Sequence, residues 1–370
     1  MKKLIRNNRG ITLVALVITI IILLILAGIT ISSLTNTGLF GKAKEAKEKT
    51  QVAEANQAKI LNEYEDELNK YISGTTGGNA GKLADKVKVG EYVSYTPDTV
   101  SNADTKYTTL ISNLGTYSGT DANTTSTLTQ ENLKWRVLDV QNGQVRLISE
   151  VPTTSKIVLN GFNGYNNAVK LLDDTCSTLY NNSKLASKVQ NLKIEDITKY
   201  MTTPPTLDTT EYSPTNKYYP EILLKEKGQT VNEKTGTELD LSEQTEFINQ
   251  TTKPQVSSWT LKNEYWSQTM NNTDSFKDSK YYELFINNGS NYPTYWMSSR
   301  CVYSGSYRAG FDIRYVNSGY VDTNYLYDSY GNERPLGYAF RPVITLNSNV
   351  QIDTANSGDG STSEHAYAIK

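Results

Sequence analysis

Residues 135–150 read WRVLDVQNGQVRLISE, and their pattern decides the class of the larger part of the chain. Two β-prone runs, 135–140 and 145–148, flank Asn142-Gly143. Asn-Gly between such runs is the strongest short-range hairpin signal, because both central residues of the favoured turn need positive φ. The signature returns further on. Phe311, Ile313 and Tyr315 alternate, residues 317–319 (Asn-Ser-Gly) turn the chain, and Tyr320-Val321 begin the return strand. Residues 340–346, FRPVITL, read as a closing strand. The expected class is α+β: a β-rich globular head over residues 83–350, behind a single N-terminal membrane and stalk helix.

Within the head, Val87, Val89, Tyr92 and Val93 make a short strand before Pro97. The polar stretch from there to about residue 130 shows no clear element. Val169, Leu172, Cys176 and Leu179 share one helical face, so residues 167–179 are expected to be helical, and 185–200 to form a second helical stretch. Residues 202–262 hold Pro204, Pro205, Pro214, Pro220 and Pro254 and read as a loop-rich excursion. Residues 351–370 are expected to be a flexible tail.

Upstream lies the strongest signal in the chain. Residues 1–10 are short and basic, with Lys2, Lys3, Arg6 and Arg9. Residues 11–31 then run ITLVALVITIIILLILAGITI without a charge. About 20 apolar residues, at ~1.5 Å each, match a ~30 Å hydrocarbon core. A secretory signal peptide would have a shorter apolar region and a small-residue cleavage site. Residues 11–34 are therefore expected to span the cell membrane once, with the basic flank cytoplasmic and the head extracellular. Residues 35–72 continue as a helical stalk rich in Ala, Glu, Lys and Gln, with Glu45/Lys49 and Asp66/Lys70 pairs and an Ile60, Leu61, Tyr64, Leu68, Tyr71 stripe. Residues 73–82 are a Gly-rich linker.

Composition narrows the function. With 37 basic and 39 acidic residues the net charge is -2, so nucleic acid is not an expected partner. There are 26 Tyr and 7 Phe, a balance that suits either half-wet aromatic surface or a Tyr-rich sheet. The tyrosines crowd residues 300–338 among Ser, Asn, Asp and Gly, the chemistry of adaptable binding surfaces. The candidate ligand-contacting residues there are Tyr303, Tyr307, Tyr315, Tyr320, Asp322, Asn324, Tyr325, Tyr327 and Tyr330. Phosphate-loop, HExxH and GxSxG motifs are absent, and His365 is the only histidine. No enzyme activity, cofactor or metal is expected. Cys176 and Cys301 either pair in an oxidising location or remain buried thiols.

Two resemblances add to this. Arg9-Gly10-Ile11-Thr12-Leu13 resembles the type IV prepilin processing site, and residues 6–34 are similar to the prepilin-like proteins of clostridia and their relatives. The resemblance implies cleavage between Gly10 and Ile11 by a prepilin peptidase, N-methylation of Ile11, and other pilin-like subunits as partners. Pilins usually carry a glutamate at the fifth mature position; here it is Ala15, which removes an assembly contact and argues against a bulk fibre subunit. The WRVL…RLISE run, residues 164–180 (GYNNAV…C…LY) and the terminal FRPV resemble a family of exported clostridial domains, themselves similar to C-type-lectin-like and formylglycine-generating-enzyme folds. Some lectin-like domains of this kind are targets of diversity-generating retroelements, which implies a variable surface within residues 300–338. The expected function is a pilin-like surface protein displaying a head for an unknown surface ligand. The alternative is a structural minor pilin or pseudopilin.

Overall fold

A computed structural model describes residues 81–125, 128–206, 210–214, 218–220, 230–231, 244, 246–253, 255, 259–270, 272–286 and 294–370. The chain divides into two units, residues 1–77 and 78–370, and the described residues belong to the second. The expected leader, membrane span and stalk, with Gly10, Ile11 and Ala15, lie outside the described residues. Among the described residues no helix is long and apolar enough to cross a membrane.

In chain order the head runs β1 (Tyr92–Ser94), α1 (Thr105–Tyr117), α2 (Ala122–Thr125), β2 (Trp135–Gln141), β3 (Gln144–Ser149), β4 (Lys156–Leu159), α3 (Gly161–Tyr180), β5 (Ala186–Asn191) and α4 (Ile194–Thr198). There follow β6 (Glu211–Tyr212), β7 (Thr230–Val231), β8 (Trp259–Lys262), β9 (Gln268–Thr269), α5 (Ser279–Phe285), β10 (Tyr295–Ser304), β11 (Ala309–Asn317), β12 (Tyr320–Asp328), β13 (Leu336–Ala339), β14 (Pro342–Leu346) and β15 (Tyr367–Ala368). The strands form two six-stranded sheets, β15-β1-β2-β3-β14-β5 and β4-β13-β10-β11-β12-β9, and a small sheet β6-β8-β7. The head is α+β and rich in strands.

Helix α3 joins the two large sheets. It packs on β5 and β14 of the first and on β4, β10, β11 and β12 of the second, and α1 lies against it. A helix flanked on so many sides buries nearly its whole circumference, which is why Tyr165, Leu171, Leu172, Cys176 and Leu179 are all in the core. Trp135, Val137, Leu147 and Ile344 from one sheet meet Trp296, Val302, Phe311 and Ile313 from the other around it. A second core forms on the far side of the first sheet. There Leu138, Ile148 and Val343 meet Ile197, Leu284, Phe285, Tyr295 and Met297.

The polar residues of α3 attach another segment. Asn167 Nδ2 donates to Ile248 O at 2.7 Å while its Oδ1 accepts from Ile248 N at 2.8 Å; Asn163 Oδ1 accepts from Gln250 N at 2.7 Å, and Asn166 Nδ2 donates to Gln250 Oε1 at 3.0 Å. The Asn pair inside GYNNAV therefore staples residues 248–250 to the helix. Arg341 of FRPV is fully buried and donates to Ser149 O at 3.0 Å and Glu150 O at 2.9 Å, tying the start of β14 to the end of β3.

Three sequence expectations are corrected. The polar stretch before residue 130 contains α1, because Tyr107, Leu110, Ile111 and Leu114 make an apolar stripe within Thr- and Ser-rich sequence. Residues 185–200 are not one helix: Ala186–Asn191 is an edge strand on β14, and only Ile194–Thr198 is helical. Residues 351–370 are not a free tail, since Tyr367 and Ala368 pair in parallel with Val93 and Ser94 and close the edge of the first sheet.

Candidate functional site

Strands β10, β11 and β12 form an antiparallel meander whose register sorts their side chains into two faces. Trp296, Val302, Phe311 and Ile313 turn into the core around α3. The opposite face carries Cys301, Tyr303, Gly310, Asp312, Arg314, Thr323 and Tyr325, which follow from the pairs Cys301–Asp312, Tyr303–Gly310, Asp312–Tyr325 and Arg314–Thr323. A bulge between Phe311 and Asp312 offsets the partner strand and sets this grouping.

Residues 263–270 run along this region. Glu264 N donates to Val302 O at 2.8 Å, Arg314 donates to Glu264 O at 2.6 Å and Trp266 O at 2.7 Å, and Gln268 and Thr269 pair with β12. The Arg314 guanidinium also lies 4.3 Å from the centre of the Trp266 ring. Between this segment and the meander is a cleft of about 360 Å³, lined by Tyr265, Tyr303, Arg308, Gly310, Asp312, Thr323, Asn324, Tyr325 and Asp328.

Asp312 is the most unusual group in it. Its Oδ2 accepts from the Thr323 hydroxyl at 2.6 Å, while Oδ1 is buried with no hydrogen-bond partner among the described residues. Burial pushes the carboxyl up to about 6, with the Thr323 bond and the charges of Arg314 and Arg308 opposing. Gly310 lies directly beneath: a Cβ there would stand 2.8 Å from Oδ1 and 3.6 Å from the Cβ atoms of Tyr303 and Tyr325. A side chain there would press on the carboxylate, so the glycine lets Oδ1 lie where it does.

Tyrosines wall the cleft. Tyr265 meets Tyr303 edge to face at 5.7 Å between centroids. Arg308, on the exposed turn between β10 and β11, sets its guanidinium 6.0 Å from the Tyr303 centroid and 5.9 Å from that of Tyr325; Arg334 lies 5.2 Å from Tyr325. A larger cleft of about 730 Å³ borders Gly90, Arg136 and Lys280, but Arg136, buried within it, is already committed to Gly90 O at 2.7 Å and to Glu283 at 3.4 Å.

The expected ligand residues divide between five places. Tyr303 and Tyr325 wall the cleft and Asn324 borders it. Tyr315 and Asp322 pair across strands away from the cleft lining; Tyr315 stacks on Tyr338 at 5.4 Å, and burial and Asp322 push its phenol up to about 12. Tyr307 and Tyr330 are exposed at one end of the meander and Tyr320 at the other. Tyr327 is a correction: it is wholly buried, stacked on Phe311 at 5.6 Å and packed on Phe162 at 3.7 Å, because the bulge turns it toward the core with Phe311.

Tyr265, Arg308, Gly310, Asp312 and Thr323 also line the cleft and are not among the residues expected from the sequence. Residues 308–312, RAGFD, did carry a signal: in a strand where Phe311 and Ile313 face the core, Arg308, Gly310 and Asp312 alternate onto the other face. Cys176 and Cys301 are buried thiols and form no disulfide. Strand alternation explains the separation. Arg300 and Val302 point to the α3 side, where Arg300 reaches the Tyr165 carbonyl at 3.5 Å, so Cys301 between them points away from the helix that carries Cys176. No protein-family model matches the chain, and no curated protein or solved structure matches it.

Proposed function

We propose that the chain is a membrane-anchored, pilin-like surface protein, not an enzyme, whose lectin-like head binds a ligand at the tyrosine-walled cleft. In this reading residues 11–34 hold the protein in the membrane after a prepilin peptidase cuts between Gly10 and Ile11. The observation that carries the binding role is the unpartnered Oδ1 of Asp312 above Gly310, between Tyr303 and Tyr325. Buried polar atoms are ordinarily hydrogen-bonded, and an exception inside a cleft marks a place where an incoming donor gains more than water would. Tyrosine walls support the same role, since they offer rigid amphipathic area at low entropic cost. Ala15 lacks the carboxylate that a bulk fibre subunit would use in assembly, which weighs against a purely structural role in a fibre.

The test is a binding screen of the full-length chain in detergent micelles against glycan, peptide and small-metabolite arrays, alongside a Tyr303→Ala/Tyr325→Ala variant. Both tyrosines are half-buried on the sheet surface, so the variant should fold. At least one ligand class is expected to bind the parent and be lost by the variant. Binding of nothing, or equal binding by both proteins, would overturn the reading and return the structural-subunit alternative.

A further inference from the structure

We infer that the cleft takes an alkylammonium group, seated above Gly310 between the rings of Tyr303 and Tyr325 and paired with Oδ1 of Asp312. The inference rests on the reading of this cleft as the head's binding site, and it names the chemistry of the ligand.

Three features converge on a cation. The first is the carboxylate: Thr323 satisfies Oδ2, and Oδ1 has no donor among the described residues. A charged donor meets a buried carboxylate more strongly than a neutral one. Arg314 is held by the Glu264 and Trp266 carbonyls, so it is not at liberty to swing onto Oδ1. The second is the walls, since tyrosine ring faces attract cations. The chain already uses them in this way, because the Arg308 guanidinium lies 6.0 and 5.9 Å from the Tyr303 and Tyr325 centroids. That is the outer limit of the interaction, and it leaves Oδ1 unmet. The third is the floor, where Gly310 lacks the Cβ that would stand 2.8 Å from Oδ1 and press on the carboxylate.

Arg308 is thus a resident cation that covers the rings without reaching the carboxylate. A compact ammonium on an alkyl stem is narrower than a guanidinium and can touch both at once, displacing the exposed Arg308 side chain. A neutral polyol would satisfy Oδ1 but would have to compete with Arg308 for the ring faces. An anion would meet Asp312 as a like charge.

Isothermal titration calorimetry of the full-length chain in detergent at pH 7.5 tests this, with Nα-acetyl-lysinamide and cadaverine as ammonium probes, Nα-acetyl-norleucinamide and 1,5-pentanediol as neutral counterparts, and glutarate as the anion. The ammonium probes should bind saturably, and each neutral counterpart at least about tenfold more weakly. Tighter binding of Nα-acetyl-lysinamide than of cadaverine assigns the ammonium to a lysine side chain on a protein, and the reverse order to a free polyamine. Asp312→Asn should lose about tenfold or more in affinity, and Gly310→Ala, which keeps the charge but fills the floor, should lose a similar amount. Arg308→Ala should tighten binding by several-fold, because the competitor is gone. Equal binding of a neutral counterpart, binding of glutarate, undiminished binding by both Asp312→Asn and Gly310→Ala, or weaker binding by Arg308→Ala would each overturn the inference. So would the absence of any ammonium binding. A glycan or anion that binds the parent and is lost by Tyr303→Ala/Tyr325→Ala would remove the ammonium and leave the head a ligand-binding domain.

Discussion

Asp312 and Asp139 are the same residue type in buried strands, yet their surroundings move them in opposite directions. Asp312 rises from 3.8 to about 6, chiefly through burial. A shift of about 2 units corresponds to about 3 kcal/mol at ~1.36 kcal/mol per unit. Its folded pKa lies above its unfolded one, so the stability it contributes is full below about pH 4 and is lost as pH rises through about 6. Asp312→Asn should therefore raise the unfolding free energy at pH 7.5 by up to about 3 kcal/mol and change it little at pH 4. Urea denaturation at both pH values measures this, and an equal gain at both would remove the burial explanation. For Asp139 burial also pushes upward, but hydrogen bonds from Arg146 (2.7 and 2.6 Å), the Tyr200 hydroxyl and Gln141 (2.7 Å) outweigh it and hold the carboxyl below its ordinary range. Its folded pKa is depressed, so its stabilisation is present above the ordinary carboxylate pKa and is lost as pH falls through the lowered value. Arg146 also bonds Asp196 at 2.6 Å. Arg146→Met would take from Asp196 its ion-pair partner and leave Asp139 only the Lys199 ammonium at 3.6 Å as counter-ion, and should cost about 3 kcal/mol at neutral pH in the same urea assay. A strand pattern shows that Asp312 and Asp139 break an apolar run, but not which one has found its partners.

Elements were legible in the sequence wherever local turn chemistry decided them. Asn142 and Gly143 take φ of 50° and 75°, as the β2–β3 turn requires, and Ser318 and Gly319 take 25° and 89° between β11 and β12. Helix α1 was hidden because its exposed faces are Thr, Ser and Asn, which lower helix propensity although the apolar stripe is present. Strand β5 is not legible in the sequence because pairing with β14 overrides the local preference of ASKVQN. The candidate site was legible only in Tyr303, Tyr325 and Asn324; Tyr265 and Asp312 join them through a β-bulge and a segment more than thirty residues upstream, neither of which is a local signal. The glycines at element junctions separate strain from contact. Gly143 and Gly119 have nearly the same φ, 75° and 79°. A Cβ on Gly143 meets nothing within 4 Å, whereas one on Gly119 would stand 1.9 Å from the Asn160 carbonyl oxygen at the start of α3. Gly143→Ala should cost about 1 kcal/mol, the backbone penalty alone. Gly119→Ala should cost several times that, because α1 and α3 must separate to admit the methyl. Thermal unfolding of the two variants checks the order, and similar losses would show that the φ angle, not the crossing, decides both.

Across residues 78–370, the two large sheets and α3 share the larger of two cores, and residues 367–368 complete the edge of the first sheet. Lys370 and Gln351 exchange backbone bonds at 3.0 and 3.1 Å, Asp353 N donates to Ala368 O at 2.8 Å, and Tyr92 N donates to Gly360 O at 2.9 Å. Ile352 and Ala366 are buried beneath them. Nothing local in residues 351–370 announces this, because the partners of Tyr367 and Ala368 are Val93 and Ser94, far away in sequence. A free tail can be removed without cost, and an edge strand cannot. Deleting residues 351–370 would strip β1 of its outer neighbour, leave Tyr92 N without its Gly360 acceptor, remove the buried Ile352 and Ala366, and expose an edge prone to pair with other chains. The deletion should lower the unfolding midpoint of the head by at least several degrees and raise its aggregation. Calorimetry and light scattering on the full-length and shortened chains, both in detergent, measure the two effects. An unchanged midpoint would mean that β15 adds nothing to the sheet it borders, and the first sheet would then be a five-stranded unit closed by β1.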